Sequence, residues 1–342
     1  TVQQQPCPVL ADDPGLRRPA VPTQLDGLDL VEVWPLTRGV GVRVAVIDTG
    51  VTPHRRLADL VPGGDYVATG AGDRDCDGHG TLVAGIIAAT PESGAGDFAG
   101  VAPGATVISI RQSSSVYAPA GDPARPGVGD VDTMASAVRT AADLGAAVIN
   151  ISVVACLGAE APPDDRALGA ALAYAVDVKN AVVVAAAGNT DGPDGCPRQP
   201  AGATWATATV VASPAWYDDY VLTVGSVGRD GQPSAFTLPG PWLDVAAPGE
   251  AVVSLSPTGD GLVDVRPGPG GREPIHGTSY AAPVVSGLAA LIRSRFPDWT
   301  ARQVMQRIKE TAHPPPTGWN PAVGHGVIDP LAAVSSGVAR HA

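Results

Sequence analysis

The chain has 342 residues, 44% of them hydrophobic and 16% charged, which supplies a sizeable core and excludes a disordered chain. Its net charge of −12 repels phosphate backbones and anionic lipid, so nucleic acid is excluded as a partner. No apolar run reaches the roughly 18 residues a membrane span needs, and the longest, 280–292, is interrupted by Pro283 and Gly287.

Residues 1–24 are polar and Pro-rich without a period, and lack the basic start and apolar stretch of a secretory leader. They read as an extension packed on a single domain, 25–342, and as too short for an independent inhibitory pro-domain. From residue 41 the pattern alternates. Residues 42–47 are a β-branched run predicting a buried strand, and 79–89 place Leu82, Val83, Ile86 and Ile87 at helical spacing. Strands are then predicted at 106–110, 147–151, 181–186 and 221–224, and helices at 130–144 and 165–178. Strands alternating with helices imply an α/β fold, a parallel sheet with helices on both faces. The C-terminal third reads as mostly helical. Residues 279–295 put Ala282, Val285, Leu288, Ala289 and Ile292 on one stripe, and Thr300 with Gln303 forms a capping box for a helix that stops at Pro314-Pro315-Pro316. Stretches 113–129, 157–164 and 190–205 read as long loops, with no internal repeat.

Four cysteines, Cys7, Cys76, Cys156 and Cys196, allow three pairings. Their wide spacing, with no CxxC, argues against zinc, and their even number points to disulfides in an oxidising compartment.

Four segments carry chemistry. The predicted strand 42–47 runs into Asp48-Thr49-Gly50, which puts a carboxylate at the C-terminal end of a parallel strand, where open α/β sheets place their sites. Aspartic proteases also use Asp-Thr-Gly, but they need two such carboxylates, and no second one exists here. Asp77-Gly78-His79-Gly80-Thr81 opens the second element, with glycines that let chain and substrate approach the imidazole. The preceding Asp73–Gly78 stretch copies half of an EF-hand loop, yet its twelfth position is Ala84 where calcium requires a bidentate Glu, so no metal is expected. Gly277-Thr278-Ser279-Tyr280 starts the apolar helix, which sets the Ser279 hydroxyl beside unpaired backbone N–H groups. Pro283 removes a backbone hydrogen bond inside that helix, which simple capping does not explain. Finally, 184–189 is a strand of small residues ending at Ala187-Gly188-Asn189, where Asn189 can donate to an oxyanion and Ala187 and Gly188 leave room for a substrate side chain. A serine hydroxyl needs a base, and the base needs a carboxylate to fix its tautomer. Asp48, His79, Ser279 and Asn189 supply these parts in the order Asp…His…Ser, with no cofactor.

This order and these motifs resemble the subtilases, the subtilisin family of serine proteases, over roughly residues 30–335. Ser213-Pro214-Ala215, Val221-Leu222-Thr223-Val224-Gly225 and Asp244-Val245-Ala246-Ala247-Pro248-Gly249 are similar to further family segments. The resemblance implies a serine endopeptidase acting on a protein or peptide substrate. Asp48 would orient His79, His79 would act as base and then acid, and Ser279 would form an acyl-enzyme. Asn189 and the Ser279 N–H would hold the oxyanion. In the run 150–154 the family's Ser-x-Gly, which pairs with substrate backbone, reads Ser152-Val153-Val154, so Val154 narrows the cleft.

A narrower resemblance is to the mycosins, the membrane-anchored subtilases of mycobacterial type VII secretion systems. It rests on the Gln/Pro-rich extension with Cys7, on Tyr280 after the nucleophile, and on the cysteine layout with long Pro/Gly loops. It implies bonds Cys7–Cys76 and Cys156–Cys196, secretion-system membrane components as partners, and an extracytoplasmic location in the cell envelope. Membrane attachment would run through a C-terminal helix absent from this chain. It also sets a structural role in the secretion complex beside selective proteolysis. An esterase is disfavoured, because Gly-Thr-Ser-Tyr-Ala is not the Gly-x-Ser-x-Gly elbow.

Overall fold

β-Branched runs build the sheet at the centre of the computed structural model, which describes all residues except 18–22, 93–96, 126, 193–194, 269 and 337–342. Parts of the expected extension 1–24 and of the loops 113–129 and 190–205 therefore lie outside the described residues. The first eleven strands in chain order are β1 (Val2–Gln3), β2 (Arg43–Asp48), β3 (Leu60–Asp65), β4 (Thr106–Arg111), β5 (Tyr117–Ala118), β6 (Val148–Ile151), β7 (Ala155–Gly158), β8 (Val182–Ala186), β9 (Val210–Ser213), β10 (Val221–Val227) and β11 (Val245–Pro248). Seven of them form one parallel sheet in the order β11-β10-β8-β6-β2-β4-β3. Val44 to Ile47 and Val182 to Ala185 have no exposed surface, because a parallel sheet is covered on both faces.

The helices are α1 (Leu30–Val33), α2 (His79–Ala88), α3 (Val131–Asp143), α4 (Arg166–Ala173), α5 (Thr278–Arg295), α6 (Ala301–Thr311) and α7 (Pro330–Val334). α2 and α5 pack together over one face of the sheet, and α3 packs with α4 over the other. α5 is apolar all round and buried along nearly its whole length, the expected fate of such a helix. The Thr300 capping box at α6 is formed, with Thr300 Oγ1 accepting from Gln303 N–H and Gln303 Oε1 accepting from Thr300 N–H.

Chain path and register together make the site. After β2 the chain runs to one side for β3 and β4, then crosses back to β6 on the other, so the order reverses at β2. Ile47, Ile151 and Ala185 are aligned across β2, β6 and β8. Asp48 and Ser152, which follow the first two directly, and Asn189, four residues past Ala185, therefore emerge at one sheet edge, at the switch point where α/β sheets hold their sites.

Three expectations need correction. The C-terminal third is not mostly helical. Five short strands, β11, β12 (Ser254–Leu255), β13 (Leu262–Val263), β14 (Val265–Gly268) and β15 (Gly271–Pro274), precede α5, and the last four form two hairpins whose Gly/Pro-rich sequence shows no alternation. The 157–164 loop begins inside β7, which pairs antiparallel with β9 and so satisfies the backbone beside the cleft. The 113–129 loop contains β5, paired with β1. β3 was not legible either, since Pro62, Gly63 and Gly64 interrupt it; such a strand is tolerated because it lies at the sheet edge with a bulge.

The described part of the extension is tied down along its length. β1 pairs with β5, Cys7 is bonded to Cys76, Asp13 N–H donates to Leu262 O, and Gln24 exchanges two hydrogen bonds with the backbone of Val253.

Candidate active site

β2 delivers Asp48 to the switch point with its side chain wholly buried. The turn that follows folds back on it, and Thr49 N–H donates to Asp48 Oδ1 at 2.8 Å. His79 begins α2, which lies so close to that turn that a Cβ at Gly80 would stand 2.0 Å from the Gly50 carbonyl oxygen. Only glycine permits this approach, and it brings His79 Nδ1 to 2.7 Å from Asp48 Oδ1. On the other ring edge, Nε2 lies 2.9 Å from Ser279 Oγ. The imidazole is a quarter exposed, so the chain Asp48–His79–Ser279 runs from the dry core to the cleft.

Burial works against a charged imidazole. The charge and hydrogen bond of Asp48, aided by the charges of Asp75 and Asp77, outweigh it, so His79 holds a proton more tightly than a free histidine. Tyr280 packs its ring 5.0 Å from the imidazole, and burial pushes its phenol up.

Ser279 sits in the first turn of α5, where N–H groups have no intrahelical acceptor. Asn189 stands opposite. Its Oδ1 accepts from the N–H and Oγ1 of Thr278, both at 2.9 Å, which turns its NH₂ away from them. Gly277, with φ of 151° in a region open to glycine, marks the space between: a Cβ there would lie 3.2 Å from both Asn189 Nδ2 and Ser279 Oγ.

Ala187 is buried at the end of β8, and Gly188 N–H donates to Thr278 Oγ1 at 3.1 Å. The Ser152 side chain is engaged inside the protein, at a position expected to meet substrate through its backbone. Pro283 has no N–H, so the Ser279 carbonyl lacks its helical partner; Ser152 Oγ donates to it instead, at 2.8 Å. Ser152 is held in turn by Asn150 Nδ2 at 2.9 Å, and Asn150 Oδ1 accepts from Ser286 Oγ at 2.8 Å. This buried polar chain locks β6 to α5. Ser152 was legible as a site position through its likeness to the subtilases' Ser-x-Gly, but its partner was not, since it is 127 residues away.

Both disulfides border the site. Cys7–Cys76 anchors the extension three residues before His79, and Cys156–Cys196 sits beside Asn189, whose carbonyl accepts from Cys196 N–H. The half-EF-hand run has separated its carboxylates: Asp75 points to Thr49 and Thr81, and Asp77 accepts from Ser114 and Ser115. Among the described residues no group of three or more His, Cys, Asp or Glu side chains could hold a metal. Sequence reading missed Asp75 as a site neighbour. Its signal was its position four residues before His79.

The profile of the subtilase family matches residues 39–326, which carry the whole constellation. The chain belongs to the subtilase family of serine endopeptidases. Within that family it is similar to Mycosin-4 of Mycobacterium tuberculosis, 67% identical over 336 residues that cover 98% of this chain and 74% of the relative. The solved structure of MycP3 protease from the type VII (ESX-3) secretion system superposes with a TM-score of 0.89 at 45% identity, covering 98% of this chain and 94% of that one. A chain in an intact ESX-5 inner membrane complex superposes with a TM-score of 0.91 at 44% identity, covering 98% of this subtilase and 83% of the other chain. The mycosin resemblance read from the sequence, with its two cysteine pairs, thus holds over nearly the full length.

Proposed function

We propose that Asp48, His79 and Ser279 cleave peptide bonds through an acyl-enzyme. The observation that carries this is the unbroken hydrogen-bonded chain from a buried carboxylate through both ring nitrogens of His79 to Ser279 Oγ. His79 Nδ1–H stays on Asp48, which leaves Nε2 as the base. Ser279 Oγ loses its proton to Nε2 as it bonds to the scissile carbonyl carbon. The oxygen gains negative charge and is met by Asn189 Nδ2–H and the Ser279 N–H. Collapse expels the amine, which takes the proton from Nε2. Water, deprotonated by the same nitrogen, then attacks the acyl carbon; the ester bond breaks, the acid leaves, and Ser279 Oγ takes the proton back from Nε2. Ala187 and Gly188 leave room for a substrate side chain. The described part of residues 1–24 serves as a strap on the single domain that follows.

The substrate is a secreted protein of a type VII secretion system, cut at selected positions, and the enzyme works on the extracytoplasmic side of the envelope. The likeness to MycP3 and to a chain of the ESX-5 inner membrane complex supports this. Among the described residues no helix is long and apolar enough to cross a membrane; attachment would use a segment beyond these residues. The ESX-5 complex also favours a second role, as a structural subunit that stabilises the secretion complex.

The test is labelling with a fluorophosphonate probe followed by intact mass. The wild type should gain one adduct and Ser279→Ala none. A folded wild type that gains no adduct would shift the proposal to the structural role.

A further inference from the structure

Three residues before the His79 helix cap, Asp75 points its carboxylate inward rather than into solvent. The residue is 9% exposed, and four donors converge on it. Thr49 Oγ1 and Gly78 N–H donate to Oδ1 at 2.8 and 2.7 Å, and Thr81 N–H and Oγ1 donate to Oδ2 at 2.8 and 2.7 Å. Thr49 is the residue after Asp48. Gly78 and Thr81 flank His79, one before it and one in the first turn of α2. One carboxylate therefore joins the turn that carries the acid of the triad to the turn that carries the base. Thr49 Oγ1 completes the joint by accepting from Gly80 N–H at 3.0 Å.

We propose that Asp75 is a positioning residue for the reaction, holding Asp48 and His79 in register by clamping their two turns together. This rests on the triad reading given above. A carboxylate suits the task because all four partners are donors and it offers acceptors only. An amide or a protonated acid turns one acceptor into a donor and breaks the clamp on one side. The hydrogen bonds of Asp75 go to Thr49, Gly78 and Thr81, so its effect passes through the placement of His79, where displacement of about 1 Å can cost on the order of 100-fold in rate.

The ionisable groups facing Asp75 are Asp48 from β2, His79 from α2 and Tyr280 from α5. Burial, with a small addition from Asp48, raises the carboxyl to about 6 against its hydrogen bonds. The clamp therefore loosens on acidification at a lower pH than the one at which His79 becomes protonated, and the loss of activity steepens there.

The experiment is the rate of fluorophosphonate labelling against pH for wild type, Asp75→Asn, Thr49→Val and Thr49→Ser, with Ser279→Ala and His79→Ala as controls. In the wild type the acid limb should steepen from one ionisation to two below about pH 6. Asp75→Asn should label about 10- to 100-fold more slowly at its plateau, with a single ionisation on the limb and its midpoint moved down, since a charge that raises His79 is gone. Thr49→Val should slow labelling several-fold while Thr49→Ser restores it, and this pair decides the matter if Asp75→Asn does not fold. Wild-type rate and pH profile in a folded Asp75→Asn, or equal rates for Thr49→Val and Thr49→Ser, would overturn the positioning role. Labelling that survives Ser279→Ala or His79→Ala would instead overturn the triad reading beneath it.

Discussion

A hydroxyl at the start of a buried helix is an ordinary feature; what sets Ser279 apart is the set of groups around its oxygen. Asn189 is committed on its carbonyl side to Thr278, so its amide protons have one direction left. Asn189→Ala should lower kcat on a peptide substrate about 100- to 1000-fold, the usual cost of removing one oxyanion donor, with little change in KM, and should also destabilise the fold by about 1–3 kcal/mol because the Thr278 N–H and hydroxyl lose their acceptor. His79 must be neutral to accept the Ser279 proton, and its proton affinity is raised above that of free histidine by Asp48 and its neighbours. More of the enzyme is therefore inactive at a given acidic pH, and the midpoint of the acid limb of kcat/KM should lie above 6.5. Ser152 gives a stability test as well as a kinetic one. Ser152→Ala leaves the Ser279 carbonyl without a donor in a helix where Pro283 cannot supply one, and urea unfolding should show a loss of about 1–3 kcal/mol. Wild-type stability in that variant would mean that water replaces the hydroxyl.

At the scale of elements, the sheet register and two helix starts do the placing. α6 is amphipathic and packs against α5 and β8, so its position supports the nucleophile helix from behind. It also carries Lys309, whose ammonium lies 3.4 Å from Asp244 at the foot of β11. Burial raises the Asp244 carboxyl to about 7, opposed first by Lys309 and then by the Thr223 N–H. A carboxyl held above its unfolded value is protonated in the native state at mildly acidic pH, where the ion pair contributes little, and is ionised and dependent on Lys309 above it. Lys309→Met should therefore destabilise by about 2 kcal/mol near pH 8.5 and by much less near pH 5, read from thermal or urea unfolding at both. A loss independent of pH would assign the effect to packing of the lysine stem.

Across the whole molecule, the extension and the cysteines bind distant parts of the chain. Cys7 and Cys76 are 69 residues apart in sequence, and their bond fixes the extension next to the His79 helix. Replacing both by serine frees a long loop in the unfolded chain and should cost about 2–4 kcal/mol. Hydrogen exchange should then rise along residues 1–13 and at β5, which loses its partner β1. Unchanged protection there would show that the hydrogen bonds of Asp13 and Gln24 hold the extension alone.

Asp48, His79, Ser279 and Asn189 are legible in the linear chain because their neighbours must be special there: a buried strand before the acid, glycines around the base, small residues before the amide. The alternation of apolar strands and helices likewise announces a parallel α/β sheet, since strands buried on both faces cannot hide their composition. What depends on pairing rather than on a segment's own composition is not legible. β3 carries Pro and Gly and is a strand only because β4 lies beside it; β12 to β15 have no alternation; and β7 needs β9. The partner of the Ser152 hydroxyl is found only when the missing N–H of Pro283 is set opposite it, and Asp75 looks like half a calcium loop until Thr49 and Thr81 close around it. Residue types fix which groups can act as acid, base, nucleophile or donor, because that chemistry is local. Only the tertiary structure decides which lone pair meets which hydrogen, because hydrogen bonds reach about 3 Å whatever the distance along the chain.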